Sequence, residues 1–269
     1  MDFAFKTLQE FNDHFRDEKT CYAFLEQQWW NGIPVCPHCG SAKTPYKVKA
    51  RGRFTDIPSY RCSDRDCDLP FTVRTGSIFE GSKVELRKWL QAAYELSTAK
   101  KGISSVELGV RLGVSQKTAW FINHRLRAML VDTAPAMLTG TVELDETYVG
   151  GKNKNKHADK KLPGTGTANK VAVFGLLERD GNIKTHMVDA TDGKTLKPII
   201  IDAIGKGATI ITDTHGAYKE LNLTPDREYT HQTVNHISGE YVRDVVMHTN
   251  TIEGFWSLLK RGIVGTFIR

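Results

Sequence analysis

The chain has 269 residues, 40% of them hydrophobic, and 37 lysines and arginines against 31 aspartates and glutamates, a net charge of +6. That length holds one sizeable domain and one or two small ones, and the basic balance, with a pI near 9.0, points to a polyanionic partner. No apolar run reaches membrane-spanning length, and Met1–Glu10 lacks a basic segment followed by an apolar one, so no secretory leader is expected and the setting reads as reducing and cytoplasmic.

Disulfides are not expected in such a setting, and the five cysteines are read accordingly. Cys21 lies in Thr20–Trp30 and reads as a small core residue of a helix. Cys36-Pro-His-Cys39 and Cys62-Ser-Asp-Arg-Asp-Cys67 form two knuckle-like pairs separated by a polar, turn-rich stretch. Four thiolates in that arrangement predict a closed tetrahedral zinc site, a structural ribbon, in a segment too small to bury its own core. The wider gap of the second pair is a departure from the common two-residue spacing, and unpaired buried cysteines are the plainer alternative. His38 is expected to point outward.

Further along, Val84 to Leu96 reads as a helix. Ser104-Ser-Val-Glu107 has the form of a capping box that opens a short helix to about Leu112, and Gly113 supplies a turn. Ser115 then caps a helix from Gln116 to Leu130. Its buried stripe is expected at Ala119, Ile122, Leu126 and Met129, leaving Gln116, Lys117, Asn123 and Arg127 exposed, residue types that reach base edges and phosphates in a major groove. Periodicity alone does not choose between a helical hairpin with a basic face and a helix-turn-helix.

The second half carries the acids. Asp145 sits in the middle of the alternating run Thr141–Gly150, and Asp213 in a second β-branched run, Ala208–His215. Two strand acids are costly to bury alone, which suggests a cation between them. Hard oxygen donors select Mg²⁺ or Mn²⁺, and two such ions ~4 Å apart are the usual device for in-line attack on a phosphodiester. The lysine-rich stretch Gly150–Gly166 reads as a solvated loop placed to meet DNA phosphates. Lys170–Val188 reads as a hairpin through Asp180-Gly181, and Leu196–Ile204 as a crossover helix. His215 and His236 read as turn and loop residues, and Asn235–Val242 as a loop without a catalytic role. Near the end, Asn250, Glu253, Ser257 and Lys260 share one helix face while Ile252, Phe255, Trp256 and Leu259 form an apolar stripe. Taken alone this is a solvated surface helix; beside two strand acids, Glu253 becomes a candidate third ligand.

The runs Val142-Glu-Leu-Asp-Glu-Thr-Tyr-Val-Gly-Gly151, Thr212-Asp-Thr-His-Gly-Ala-Tyr218 and His248-Thr-Asn-Thr-Ile-Glu-Gly-Phe-Trp-Ser-Leu-Leu-Lys-Arg261 resemble the ISXO-type insertion-sequence transposases of the DDE class, and the resemblance covers nearly the whole chain. It implies an α/β, ribonuclease-H-like mixed-sheet core over 135–269, preceded by amino-terminal helices and a zinc ribbon over 1–80 and a helix-turn-helix over 81–134. It makes Asp145 and Asp213 the first two metal ligands and Glu253 or Asn250 the third. Members of that family differ over an acid or an amide there, and charge favours Glu253. Lys260 would meet a phosphate as a point charge. The implied activity is Mg²⁺- or Mn²⁺-dependent nicking of insertion-sequence ends and joining of the 3′ ends to target DNA. The implied partners are the terminal inverted repeats, target DNA and further copies of the chain.

Two other readings stand beside it. The chain stops at Arg269, nine residues past Lys260, where relatives generally continue, so a truncated remnant that binds DNA without catalysing is one expectation. A ribonuclease-H-like host nuclease or resolvase would share the metal site, although a sequence-reading helix-turn-helix counts against it.

Overall fold

The computed structural model describes residues 5–41, 43–50, 57–130, 136–151, 157, 159, 167, 170–219, 221–234, 247–263 and 266. The chain divides into two compact units, Met1–Asp132 and Thr133–Arg269. Among the described residues, no helix is long and apolar enough to cross a membrane.

The first unit opens with α1 (Leu8–His14) and α2 (Glu18–Trp30), each started by a side chain that accepts an otherwise unpaired backbone N–H. Thr7 takes the N–H of Glu10 at 3.1 Å and Asp17 that of Thr20 at 2.8 Å. Three two-residue strands follow, β1 (Tyr46–Lys47), β2 (Tyr60–Arg61) and β3 (Pro70–Phe71), paired antiparallel in that order. Next comes α3 (Leu86–Thr98), which has no side-chain cap at its own N-cap residue. Glu18 of α2 serves instead, accepting from the N–H groups of Leu86 at 3.0 Å and Arg87 at 2.9 Å, so the first turns of α2 and α3 are locked together.

The helices α4 (Ser105–Leu112) and α5 (Gln116–Met129) are joined at Gly113, whose φ of 60° is the left-handed conformation that glycine adopts without strain. Ser104 and Ser115 cap them, accepting from Glu107 and Thr118 at 3.2 Å each. One core gathers Phe11, Phe15, Tyr22, Leu25, Trp89, Leu90, Leu108 and Ile122. The packing therefore joins α1 and α2 to α3, α4 and α5, while the small sheet has its own cluster of Cys36, Tyr60, Cys62 and Phe71. Cys21 is fully buried in the helical core, and burial pushes its thiol up to about 12, which leaves it an inert packing residue.

The second unit is a five-stranded sheet in the order β6–β5–β4–β7–β8, with β4 (Thr141–Val149), β5 (Val171–Glu178), β6 (Ile183–Val188), β7 (Thr209–Thr212) and β8 (Thr230–Thr233). β5 runs antiparallel to both neighbours, whereas β4, β7 and β8 are mutually parallel. The β5–β6 hairpin turns at Asp180 (φ 57°), and α6 (Gly193–Ala203) crosses over from β6 to β7. α7 (Asn250–Gly262) follows β8. Strand alternation sorts the side chains into two layers. Val142, Leu144, Phe174, Leu176 and Ile210 pack with Leu196 and Ile200 of α6, while Leu177 packs with Ile252 and Trp256 of α7. A mixed sheet in this order, covered on both faces by helices, is the ribonuclease-H-like α/β architecture expected from the sequence.

Because Ser115 supplies the N-terminal cap of α5, Ser115→Ala should lower the stability of the first unit by about 1 kcal/mol and Ser115→Thr by less. Urea unfolding followed by helical circular dichroism checks this.

Candidate functional site

In the small sheet, one sulfur from each of Cys36, Cys39, Cys62 and Cys67 lies within 4.8 Å of all the others. The Cys36 and Cys67 sulfurs are 3.8 Å apart and those of Cys39 and Cys62 3.6 Å. The backbone N–H of Asp64 points at the Cys62 sulfur at 3.4 Å, the kind of contact that stabilises a thiolate. Stacked Tyr60 and Phe71, with ring centres 5.6 Å apart, floor the cluster. Four soft donors converging this closely fit a tetrahedral structural zinc.

On α5 the helical phase differs from the sequence expectation. Asn123 is buried and its side-chain amide donates to the Ile103 carbonyl at 2.9 Å. It is thus a structural residue of the α4–α5 pair and does not belong to the exposed face. Met129 is exposed where it was expected to be buried. Asn123 follows Ala119 by one turn, which centres the buried arc on Ala119, Ile122, Asn123 and Leu126 and turns Lys117, Trp120, Phe121 and His124 outward. Gln116 is also exposed and donates to Ser105 Oγ at 2.9 Å. Arg127 is half-buried, and desolvation lowers the proton affinity of its guanidinium.

In the second unit, β4 and β7 align Thr141 with Thr209, Val142 with Ile210 and Glu143 with Ile211. Carried two residues on, that register sets Asp213 level with Asp145. The Asp213 carboxylate accepts the His215 N–H at 2.9 Å, which holds it in the turn after β7. Asp145 is half-buried, and its carboxyl is pushed up to about 7, first by burial and then by the negative charges of Glu146, Asp213 and Glu253. Asp213 and Glu253 are thus near enough to Asp145 for their charges to act on it, along with that of Glu146. They do not close into a four-cysteine-like cluster: among the described residues the cysteines alone come within 4.8 Å of one another. Carboxylate oxygens are the hard donors that Mg²⁺ or Mn²⁺ takes, and a cation would relieve the repulsion, so the residues fit a divalent metal.

Asn250, Glu253, Ser257 and Lys260 are all exposed on α7, while Ile252 and Trp256 are buried. Glu253 Oε1 accepts from the Thr249 hydroxyl at 3.1 Å. Opposite Asp145 in the β4–β5 register stands Gly175. A Cβ there would lie 2.4 Å from Trp256 Cζ2, so a side chain at this position would push α7 off the sheet beside Asp145. His215 is exposed in the turn. Most of the lysine-rich stretch, and His236 with the 235–242 segment, lie outside the described residues.

Two carboxylates beside Asp145 were not singled out from the sequence. Glu143, two residues earlier and on the same strand face, is fully buried and accepts from Arg179 Nε at 2.8 Å, Thr251 Oγ1 at 2.9 Å, and the N–H groups of Thr251 at 3.1 Å and Ile252 at 3.0 Å. Glu146 faces the other layer, where burial raises its proton affinity while Tyr218 and His215 counter that rise.

Both units of the chain match known transposase domains. Residues 137–269 match the ISXO2-like transposase domain and residues 16–68 the transposase zinc-ribbon domain. A protein in the transposable element ISH50 of Halobacterium salinarum is 32% identical over 261 residues, spanning 92% of this chain and 83% of that protein. The chain belongs to the ISXO2-like transposase family. Two solved structures of Mos1 transposase also align with the chain. One is a pre-cleavage transpososome (10% identity, 94% of this chain and 91% of that one, TM-score 0.25). The other is a paired-end complex with the left transposon end (12% identity, 88% and 82%, TM-score 0.23). At those TM-scores they carry no weight for the fold. Within the family assignment, the four cysteines fall in or at the end of the matched ribbon, and Asp145, Asp213 and Glu253 all fall in the transposase domain.

Protein of this ISXO2-like family member prepared without chelator should contain about one zinc per chain, and Cys62→Ser should lose most of it; elemental analysis reads both. The Asp145 carboxyl carries a second expectation. Its folded proton affinity is raised above the ordinary 3.8 to about 7, so in metal-free protein it contributes stability below pH 3.8 that is lost as pH rises through about 7. Metal-free Asp145→Asn should therefore exceed wild type in stability at pH 8 by on the order of a few kcal/mol and lose that advantage near pH 4. Thermal melts at the two pH values measure the difference.

Proposed function

We propose that the chain is a DDE transposase that binds insertion-sequence ends, nicks them by metal-assisted hydrolysis and joins the freed 3′ ends to target DNA. The observation that carries this reading is the level placement of Asp145 and Asp213 on adjacent parallel strands, with Glu253 of the covering helix near enough for its charge to act on Asp145. Asp145 and Asp213 are the first two ligands for Mg²⁺ or Mn²⁺, and Glu253, the anionic neighbour of Asn250 on α7, is the third. Bound there, divalent cations supply activation of the attacking oxygen and neutralisation of charge at the scissile phosphate. Lys260, exposed on the same helix, provides a point charge for a flanking phosphate.

The division of labour follows the chain: residues 1–80 and 81–134 recognise the ends, and 135–269 carry out the chemistry. On α5, Gln116 and Lys117 remain the candidates for groove contact, with half-buried Arg127 reaching a phosphate at the margin. Because two ends must be joined, the active species is an oligomer on DNA, and the reaction belongs in the cytoplasm with its substrate.

Asp145→Asn and Asp213→Asn should each remove nicking and strand transfer by at least about a thousandfold while leaving end binding intact, because these carboxylates serve the metal and not the duplex. Glu253→Gln should be nearly as severe and Asn250→Ala milder; the reverse order would assign the third position to Asn250. Labelled end DNA with Mg²⁺ reads cleavage and joining together. Wild-type protein that binds ends without Mg²⁺-dependent cleavage would support the DNA-binding remnant. Cleavage indifferent to end sequence would support a host nuclease.

A further inference from the structure

We infer that Glu143 is a positioning residue of the acidic centre: from the strand that carries Asp145 it caps and orients α7, and so sets where Glu253 stands relative to Asp145 and Asp213. This inference rests on the metal site proposed above. α7 has no side-chain cap of its own at Thr249, whose hydroxyl is turned to Glu253. The first-turn N–H groups of Thr251 and Ile252 go instead to Glu143 Oε2, a carboxylate 108 residues away at the positive end of the helix dipole. Glu143 Oε1 meanwhile accepts from Thr251 Oγ1 and Arg179 Nε. Arg179 reaches on to the His248 carbonyl at 2.9 Å, which ties down the segment that leads into the helix.

The apolar hold on α7 is that of Ile252 and Trp256 against Leu177 and the bare backbone of Gly175. Such packing limits how close the helix comes and is tolerant of sliding along its axis. The directional bonds to Glu143 fix that slide. Ile252, which makes one of them, is the residue immediately before Glu253. Glu143 and Asp145 point to one face of β4, roughly 6–7 Å apart along the strand, so a single strand places one acid for chemistry and another to bring up the helix bearing its partner.

The test is Mn²⁺ binding to the full chain without DNA, followed by electron paramagnetic resonance. The variants are Glu143→Gln, Glu143→Asp, Thr251→Val, Glu253→Gln and the double variant Glu143→Gln/Glu253→Gln, with thermal melts to establish the folded fraction. Glu143→Gln should weaken Mn²⁺ binding about tenfold or more in the folded protein, Glu143→Asp should restore part of it, and Thr251→Val should weaken binding by roughly two- to fivefold. The double variant should bind no more weakly than Glu253→Gln alone, because Glu143 acts through Glu253. Wild-type affinity in folded Glu143→Gln, or losses that add in the double variant, overturns the inference. If Glu143→Gln does not fold, wild-type affinity in Thr251→Val overturns it. Asp145→Asn separates the two levels: unchanged Mn²⁺ binding in that variant defeats the metal site itself, whereas a loss there with none in Glu143→Gln defeats only the positioning role.

Discussion

Three carboxylates, Glu143, Asp145 and Glu146, lie within four residues of the central strand of a sheet covered on both faces. Removing a carboxylate from water is costly unless it is neutralised or fully hydrogen-bonded, and the second unit places its three in three different surroundings. Glu143 is saturated by an arginine, a hydroxyl and two backbone N–H groups. Asp145 keeps its proton to about pH 7 in the absence of a countercharge. Glu146, sent to the opposite layer by the strand's alternation, has Tyr218 and His215 to offset its burial, while its buried Oε1 has no hydrogen-bond partner among the described residues. The helix that covers the site, the turn that holds Asp213 and the hairpin that delivers Arg179 are all arranged around these three carboxylates.

The two candidate metal centres share a logic and differ in chemistry. In each, like groups that repel when ionised are brought together by the backbone, and a cation would turn that repulsion into cohesion. The ribbon does so with sulfur donors on a sheet of two-residue strands, where little apolar surface is available to hold the fold. The acidic centre does so with oxygen donors on an extensive sheet that is stable by packing, so its repulsion is a local strain on an already secure frame. The first arrangement suits a structural ion and the second an exchangeable one.

Much of this was legible in the chain. The cysteine pairs, the serine caps around Gly113 and the acids set in alternating apolar runs are local patterns, and local patterns survive without knowledge of the fold. The β5–β6 hairpin and the amphipathic α7 were readable for the same reason. Asn123 was misplaced because an asparagine one turn after Ala119 looks polar and exposed until its partner, the Ile103 carbonyl, is known. Glu143 was passed over because its partners lie 36 and 108 residues away; the available signal was its parity with Asp145 along the strand. Gly175 carried no signal at all, since the demand for a missing side chain comes from Trp256.

The acids at 145, 213 and 253 are spread along the chain so that none of the three lies near another in sequence. Asp145 meets Asp213 only once β7 has paired beside β4, and Glu253 arrives only when α7 has docked on the finished sheet. A nascent chain that has not yet released α7 from the ribosome holds two of the three, and until Glu143 and Arg179 are in register the helix lacks the bonds that receive its first turn. Of the described elements α7 is synthesised after all the others, so the acidic centre gains its third member once the ribbon and the helices of the first unit have emerged.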